Sequence, residues 1–170
     1  MKYGTMTYLS SNERVLMIKK GLRENDPNSG VFTLPGGNLK DREKGLDNPY
    51  GRLEAAVRET EEETGLTLIN PRLMGGILFD NRERIFDNWT RPEDFLVYLI
   101  TAINYTGKIK PQTEEGTSLW VNEAEIDKLP KNVGDEKMYQ WLKTRRRFFG
   151  VIKHKGRVLD EAGTFVDYLD

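Results

Sequence analysis

Three glutamates within one predicted helix carry the strongest chemical signal in the sequence. Glu59, Glu62 and Glu63 are spaced i, i+3 and i+4, so a helix places their carboxylates on one face. Like charges at this spacing destabilise a helix by a few tenths of a kcal/mol, and the helix dipole disfavours anions in its C-terminal half. A hard divalent cation such as Mg²⁺ would relieve both costs, polarise a phosphorus centre and activate water. The alternative is an ordinary solvated helix face.

The composition restricts which other chemistry is available. The 170-residue chain has no cysteine and one histidine, His154, which excludes disulfides and thiolate chemistry and argues against a His-rich zinc site or a serine-type triad. A formal net charge of −1 argues against a protein dominated by nucleic-acid backbone binding. No apolar run approaches the roughly 18 residues of a spanning helix, and the N-terminus lacks a signal-peptide layout. We therefore expect no membrane partner, no stable nucleic-acid partner and a cytoplasmic location.

The elements that must position the glutamates are a turn and a helix. Arg52–Thr64 is the strongest helix signal, and Gly65 is its predicted C-cap. Before it, the predicted strand Val31–Leu34 stops at Pro35-Gly36-Gly37, where a bare backbone could approach a ligand closely. Strands interleaved with helices indicate the α/β (α+β) class with a mixed sheet, and no repeat or linker divides the chain, so we expect one domain over residues 1–170. The remaining predicted elements are strands at Met6–Leu9, Val15–Lys19, Leu73–Phe79, Asp94–Ile103 and Ser118–Val121, helices at Glu123–Leu129 and Gly134–Arg145, and a hairpin over Gly150–Leu159.

The segment Arg58–Leu66 resembles the second half of the Nudix box. Its sequence Arg-Glu-Thr-Glu-Glu-Glu-Thr-Gly-Leu follows the pattern Arg-Glu-U-x-Glu-Glu-x-Gly-U, in which U is usually apolar. Leu34–Gly37 is similar to the opening of the box. Gly37 lies 21 residues before Arg58 (58 minus 37), seven more than the usual family spacing, so the segment 38–51 contains an insertion.

The insertion displaces one acidic position of the family pattern. The first glutamate of the box, eight residues before the arginine, falls on Tyr50. In the family this glutamate is more a structural partner than an essential metal ligand. Its role is therefore lost here, or it passes to Glu43 or Glu54.

Beyond the box, the chain resembles the MutT-homologue branch, which hydrolyses oxidised purine nucleoside triphosphates. Glu115, five residues before Trp120, is similar to the distal acidic ligand of that branch. Asp135 and Glu136 match its paired acids, which recognise the purine edge. The alternative is that this pair caps a helix, because acids are favoured in a first turn. The asparagine of the branch falls on Thr33, and its tryptophan falls on Val133.

The resemblance implies an α/β/α sandwich whose loop–helix–loop binds Mg²⁺ or Mn²⁺ and a diphosphate linkage. It also implies hydrolysis of a nucleoside triphosphate to the monophosphate and pyrophosphate, with 8-oxo-dGTP as a candidate substrate. Arg58 would hold the helix carboxylates through an ion pair with Glu54 or Glu61. The implied site consists of the metal ligands Glu59, Glu62, Glu63 and Glu115, a backbone carbonyl of Gly36 or Gly37, the catalytic groups Glu59, Glu62, Arg58 and Glu115, and the substrate contacts Asp135, Glu136, Thr33 and Gly36.

Two alternatives remain beside this hypothesis. The insertion in segment 38–51 could shape a pocket for ADP-ribose, a nucleotide sugar or a dinucleoside polyphosphate. The loss of an acid at Tyr50 would suit a non-catalytic module that binds a nucleotide. Among the other residues, His154 is predicted to be an ordinary surface or edge residue, and the basic run Lys143–Arg147 is predicted to end a helix.

Overall fold

The computed structural model describes residues 1–24, 26, 28–85 and 93–169, and in them a mixed sheet is combined with short helices. Two segments of 3₁₀-helix, Glu123–Lys128 and Glu161–Gly163, follow strands. The strands are β1 (Lys2–Ser11), β2 (Arg14–Lys20), β3 (Phe32–Thr33), β4 (Gly36–Asn38), β5 (Leu66–Ile69), β6 (Arg72–Arg84), β7 (Phe95–Ala102), β8 (Asn104–Gly107), β9 (Gln112–Thr113), β10 (Gly116–Asn122), β11 (Phe148–Gly156), β12 (Val158–Leu159) and β13 (Phe165–Tyr168), and the helices are α1 (Asp41–Lys44), α2 (Gly51–Thr64) and α3 (Asp135–Lys143).

The strands form one long sheet in the order β12-β11-β6-β7-β1-β2-β10-β9. Strands β1 and β7 are parallel, as are β6 and β11, and the other neighbours in this order are antiparallel. The short strands β3, β4 and β13 pair with β2, β1 and β11, while β5 and β8 form a separate pair. The predicted mixed sheet is confirmed.

The sheet separates two apolar layers, because neighbouring residues of a strand point to opposite faces. On one face, Leu9 of β1 belongs to a cluster with Ala56 of α2. On the other face, Tyr8 of the same strand belongs to a larger cluster with Met138 and Trp141 of α3. The architecture is therefore the α/β/α sandwich that the resemblance implies.

Helix α2 packs against β1 along one face. Ala56 and Thr60 are fully buried, and the Thr60 hydroxyl donates to Thr7 Oγ1 at 3.2 Å. Leu53 and Val57 are half-buried and pack against the same cluster. The helix ends as predicted, since the cap residue Gly65 adopts a left-handed conformation with φ of 79° and donates its backbone N–H to the carbonyl of Glu61.

Several predicted elements change in extent. The helix predicted over Glu123–Leu129 is a 3₁₀-helix over Glu123–Lys128. Strand β6 continues past Phe79 as far as Arg84. The hairpin of β11 and β12 is confirmed, with His154 opposite Leu159. Within the described ranges, no helix combines the length and the apolar character that crossing a membrane requires.

The surface assignment of His154 is wrong. Only 1% of its surface is exposed, and its Nε2 lies 3.0 Å from the carbonyl oxygen of Val133. The reason is that β11 lies inside the sheet, between β6 and the pair of β12 and β13, with the segment before α3 covering this residue. Burial lowers the pKa of the imidazole, so the side chain is neutral at neutral pH.

Candidate active site

The turn after β3 brings two of the predicted carboxylates against the double glycine. The backbone N–H of Gly36 donates to Glu63 Oε2 at 2.9 Å. A Cβ at Gly37 would lie 2.5 Å from the carboxyl carbon of Glu59, and a Cβ at Gly36 would lie 2.0 Å from the carbonyl oxygen of Thr5. Gly36 therefore requires glycine, because the atoms a Cβ would meet belong to the backbone of β1, whereas at Gly37 a Cβ would meet only the flexible end of the Glu59 side chain.

Arg58 connects the helix carboxylates to the inserted segment. Its Nε and Nη2 donate to the two oxygens of Glu43 at 3.0 and 2.9 Å, and its Nη1 contacts Glu59 and lies 3.6 Å from Glu62. The expected partners Glu54 and Glu61 are wrong. Arg58 pairs with Glu43 instead, because the inserted segment folds as α1 and places both oxygens of this carboxylate within hydrogen-bond distance of the guanidinium.

Glu43 is an unusually well-satisfied buried carboxylate. Its side chain is 1% exposed, and one oxygen also accepts the backbone N–H of Lys40 at 2.7 Å. Burial acts to raise its pKa, but the hydrogen bonds from Arg58 and Lys40 outweigh burial and hold the pKa below the usual value. Of the two acids considered in place of Tyr50, Glu43 is the one that contacts Arg58, whereas Glu54 accepts from Asn48.

Glu63 lies at the centre of the acidic group. It is 7% exposed, and burial raises its pKa to about 7, with further increments from the charges of Glu115 and Glu59. The Gly36 N–H and the charge of Lys20 oppose this rise. A buried carboxyl with two carboxylate neighbours is a site that a cation stabilises.

Glu115 reaches the site from the turn between β9 and β10. Its Oε2 lies 2.7 Å from Lys20 Nζ, and the hydroxyl of Ser118 donates to the carbonyl of Glu63 at 3.1 Å. The ion pair with Lys20 lowers the pKa of Glu115. The structure thus brings Glu115 and Lys20, from two other segments, near Glu59 and Glu63 of α2.

The metal donors are present, but they are not preassembled. Among the described residues, no three acidic or histidine side chains converge as a formed metal site. Glu59 forms an ion pair with Arg58, and Glu115 forms one with Lys20. The side chain of Glu62 is 60% exposed. The donor set still fits a hard cation, since it combines carboxylate oxygens with the bare backbone of the double glycine.

A cleft of about 510 Å³ lies beside this acidic group, which it meets at the double glycine and Lys20. Phe79 and Phe95 line its wall, with ring centroids 6.5 Å apart. A Cβ at Gly4 would lie 2.6 Å from the ring of Phe95, so the ring can occupy this position only because residue 4 has no side chain. The lining also includes Lys20, the glycine turn and the polar residues Asn81, Arg84, Asn132 and Asp135.

The two acids predicted to recognise the base lie in different environments. Asp135 lines the cleft and is 4% exposed, whereas Glu136 is exposed and does not line the cleft. Successive helix residues point about 100° apart, which explains the separation at the start of α3. Thr33 is buried and lines the same cleft, as does the half-exposed Val133.

The environment of Asp135 is unusual for a carboxyl. Burial raises its pKa to about 7, although the charges of Arg84 and Lys131 and a hydrogen bond from Asn132 oppose the rise. Its Oδ2 has no hydrogen-bond partner among the described residues. This buried group can donate when protonated and accept when ionised.

Sequence reasoning missed Lys20, Asn81 and Arg84. The period-2 alternation that buries Ile77 and Phe79 also puts Asn81 on the cleft side of β6, so this position could have been found by extending the strand. Lys20 ends β2 with no local signal, because its partner Glu115 lies 95 residues away. Arg84 could not be assigned, because its place depends on how far β6 runs.

Comparisons with known proteins identify similar sequences and similar folds. The family model of the NUDIX domain matches residues 3–142. A curated relative, the uncharacterized Nudix hydrolase YvcI of Bacillus subtilis, is 29% identical over 133 residues, which are 77% of this chain and 72% of that protein. The MutT protein of Bacillus halodurans superimposes with a TM-score of 0.75 at 23% identity, covering 99% of this chain and 98% of that one. The NUDIX domain of Shewanella oneidensis NrtR, solved with ADP ribose, superimposes with a TM-score of 0.64 at 15% identity, covering 85% and 88%.

Proposed function

Because the chain belongs to the Nudix family, whose members hydrolyse nucleotide-linked phosphoanhydrides and generally use divalent metal ions, we propose that it converts a nucleoside triphosphate to the monophosphate and pyrophosphate. One observation carries this proposal. A single cleft connects the glycine turn and Lys20, which suit phosphates, to a buried carboxyl, which suits a base. The rings of Phe79 and Phe95 line the wall of this cleft, and aromatic rings suit a flat moiety such as a base.

The proposed metal is Mg²⁺, with Mn²⁺ as a substitute. Its ligands would be the carboxylates of Glu59, Glu62, Glu63 and Glu115 with a backbone carbonyl of Gly37. When bound, the ion polarises the phosphorus centre and lowers the pKa of a coordinated water.

The chain's own residues prepare this site. Arg58, held by Glu43, keeps Glu59 against the glycine turn. The ammonium of Lys20 pairs with Glu115 and also lines the cleft, where it can donate hydrogen bonds to phosphate oxygens. Glu59 is the proposed residue that orients or deprotonates the attacking water.

The proposed substrate is an oxidised purine nucleotide such as 8-oxo-dGTP. Asp135 supports this assignment, because a buried carboxyl that ionises near neutral pH can either donate to a base or accept from it. Glu136 is exposed, so the proposal rests on Asp135 for base recognition.

A second candidate is a compound with a group on each side of the diphosphate, such as ADP-ribose or a dinucleoside polyphosphate. A shallow second cleft of about 720 Å³ lies on the other flank of α2, beside Arg58 and Glu62. The inserted segment contributes Arg42 and Tyr50 to it, and Lys110 faces them. This cleft could hold the second group of such a compound.

The decisive experiment incubates the protein with Mg²⁺ and a panel of nucleotides and measures pyrophosphate. Glu62→Gln and Glu63→Gln should lower the rate by about a hundredfold or more, whereas Glu125→Gln, an exposed acid paired with Lys128, should leave the rate unchanged. Orthophosphate as the sole product, or no product, would reject the triphosphate proposal. Faster turnover of ADP-ribose or a dinucleoside polyphosphate would select the second candidate, and saturable binding without turnover would indicate a non-catalytic module.

A further inference from the structure

His154 is a polar side chain in an otherwise apolar buried row of β11, and the proposed function gives it no role. Phe148, Gly150, Ile152 and His154 are buried in turn along this strand, because alternate residues point to the same face of the sheet. His154 is 1% exposed, and its Nδ1 has no hydrogen-bond partner among the described residues. Burying an imidazole costs free energy that an apolar side chain would not cost, unless the ring makes a compensating hydrogen bond.

The compensating bond joins His154 to the backbone before α3. Its Nε2 lies 3.0 Å from the carbonyl oxygen of Val133, and because a carbonyl can only accept, the proton must be on Nε2. The next residue, Gly134, has a φ of 93°, and a Cβ there would lie 3.1 Å from the same Nε2. The backbone therefore lies directly against the imidazole. His154 also lies where the register between β11 and β6 shifts, a kind of irregularity that re-aims side chains.

The backbone that His154 contacts belongs to a wall of the cleft. Residues 130–134, here called the connecting segment, join the 3₁₀-helix Glu123–Lys128 to α3 and contain neither helix nor strand. Asn132 and Val133 of this segment line the cleft. Because the segment has no regular hydrogen-bond ladder of its own, its position depends on contacts with other elements.

Two strands hold the connecting segment at its opposite ends. The backbone N–H of Phe32 in β3 donates to the carbonyl of Pro130 at 2.9 Å, and His154 in β11 donates to the carbonyl of Val133. Strand β3 leads directly into the glycine turn, so the first contact ties the segment to the active-site turn. The second contact ties it to β11 and is made by a side chain, so a substitution can remove it.

We propose that His154 is a positioning residue for substrate binding. By holding the carbonyl of Val133, it fixes the connecting segment so that Asn132 and Val133 keep their places in the cleft wall. His154 is buried and does not itself line the cleft, so it acts on a substrate only through this segment. The proposed metal ligands lie on other elements, so the chemical step should not depend on it. The inference rests on the proposed function, because a nucleotide is the ligand that this wall would contact.

Loss of the hydrogen bond should weaken nucleotide binding and leave the chemical step unchanged. His154→Leu removes the donor, and the dissociation constant of 8-oxo-dGMP, measured by calorimetry in metal-free buffer, should rise about fivefold or more. His154→Gln keeps an N–H donor and should stay within about twofold of the wild type. With 8-oxo-dGTP and Mg²⁺, His154→Leu should raise KM by a similar factor while kcat changes by less than about twofold.

Ile152→Val is the matched control. Ile152 is fully buried in the same strand, and its Cγ2 packs against Gly134 of the connecting segment. The variant removes one methyl group beside this segment and leaves the hydrogen bond of His154 in place, so it should lower stability without changing the binding of 8-oxo-dGMP. Equal losses of binding in Ile152→Val and His154→Leu, or no recovery in His154→Gln, would overturn the inference.

Two measurements test the contact without any ligand. Amide hydrogen exchange in residues 130–135 should be about fivefold faster in His154→Leu than in the wild type, with exchange in β7 unchanged. In the wild type at pH 8, nitrogen-15 spectra of the imidazole should place the proton of His154 on Nε2. This second measurement needs no variant, so it applies even if His154→Leu does not fold. A proton on Nδ1, or unchanged exchange in the connecting segment, would overturn the inference.

The inference and the proposed function can fail separately. Hydrolysis of a triphosphate to pyrophosphate with an unchanged KM in His154→Leu would overturn the inference and leave the proposed function intact. If no triphosphate yields pyrophosphate, the proposed function is rejected. In that case the exchange of residues 130–135 and the binding of 8-oxo-dGMP still decide whether His154 positions the cleft wall.

Discussion

Replacing Asp135 with asparagine should remove a specific pH dependence of folding. In the native protein, burial raises the pKa of this carboxyl to about 7 from an ordinary value of 3.8. Between these two values the native state holds a proton that the unfolded state has lost, so the native state is progressively destabilised as pH rises from 4 to 7. Above pH 7 both states are ionised and the contribution is constant.

The size of the effect follows from the shift. Each pH unit corresponds to about 1.4 kcal/mol, so between pH 5 and 6 the wild-type free energy of unfolding should fall by about 1.4 kcal/mol relative to Asp135→Asn. Over the whole interval the difference approaches about 4 kcal/mol. The variant should therefore gain most over the wild type above pH 7, where the amide replaces a buried ionised carboxylate.

The assay is urea denaturation at half-unit steps from pH 4.5 to 8 in metal-free buffer. The comparison is the difference between variant and wild type, because other groups titrate equally in both. Glu136→Gln serves as the control, since this adjacent acid is exposed and should give a flat difference. A flat difference for Asp135→Asn as well would refute the assignment of a buried, protonated carboxyl.

Three further outcomes are expected. Glu43→Ala should destabilise the fold by about 3 kcal/mol in urea, because it leaves the guanidinium of Arg58 without its buried partner. Gly37→Ala should lower the hydrolysis rate by about tenfold or more with a much smaller loss of stability, since its methyl group would displace the flexible carboxylate of Glu59. His154→Gln should flatten the loss of stability on acidification below about pH 6.5, because the unfolded imidazole is protonated there while burial keeps the native one neutral.

Matched variants make these outcomes specific. Glu54→Ala removes a helix carboxylate that accepts a hydrogen bond from the side chain of Asn48 and, among the described residues, has no ion pair. This variant should cost much less stability than Glu43→Ala. Gly21→Ala adds a methyl group with nothing within 4 Å, and it should leave the rate unchanged. Equal losses within either pair would contradict the contacts described, and unchanged acid sensitivity in His154→Gln would contradict the neutral buried imidazole.

Local patterns in the sequence predicted the elements of the site well. The helix α2, its glycine cap and the preceding glycine turn follow from propensity, capping and backbone freedom, all of which act over a few residues. The mixed sheet and its long central strands were likewise predictable from apolar runs. The contact of Glu59 and Glu63 with the glycine turn could be expected, because the turn and α2 belong to the same loop–helix unit.

Contacts between distant segments were harder to predict. Whether Glu43 or Glu54 would partner Arg58 depended on how the inserted segment folds, and the i,i+4 spacing favoured the residue that makes no such contact. His154 was misplaced because the coverage of β11 depends on the segment before α3, which lies about twenty residues earlier. The split between Asp135 and Glu136 depends on the angle at which α3 meets the sheet, which no local pattern contains.

Strand β1 contributes to both apolar layers, with Tyr8 on one side and Leu9 on the other. It also contacts the glycine turn through its pairing with β4 and α2 through Thr7. The two layers therefore cannot melt independently, since losing either one releases a wall of the other. We therefore expect a cooperative, single-step unfolding transition. A substitution that disrupts the packing beneath α3 should also make the carboxylates on α2 less ordered.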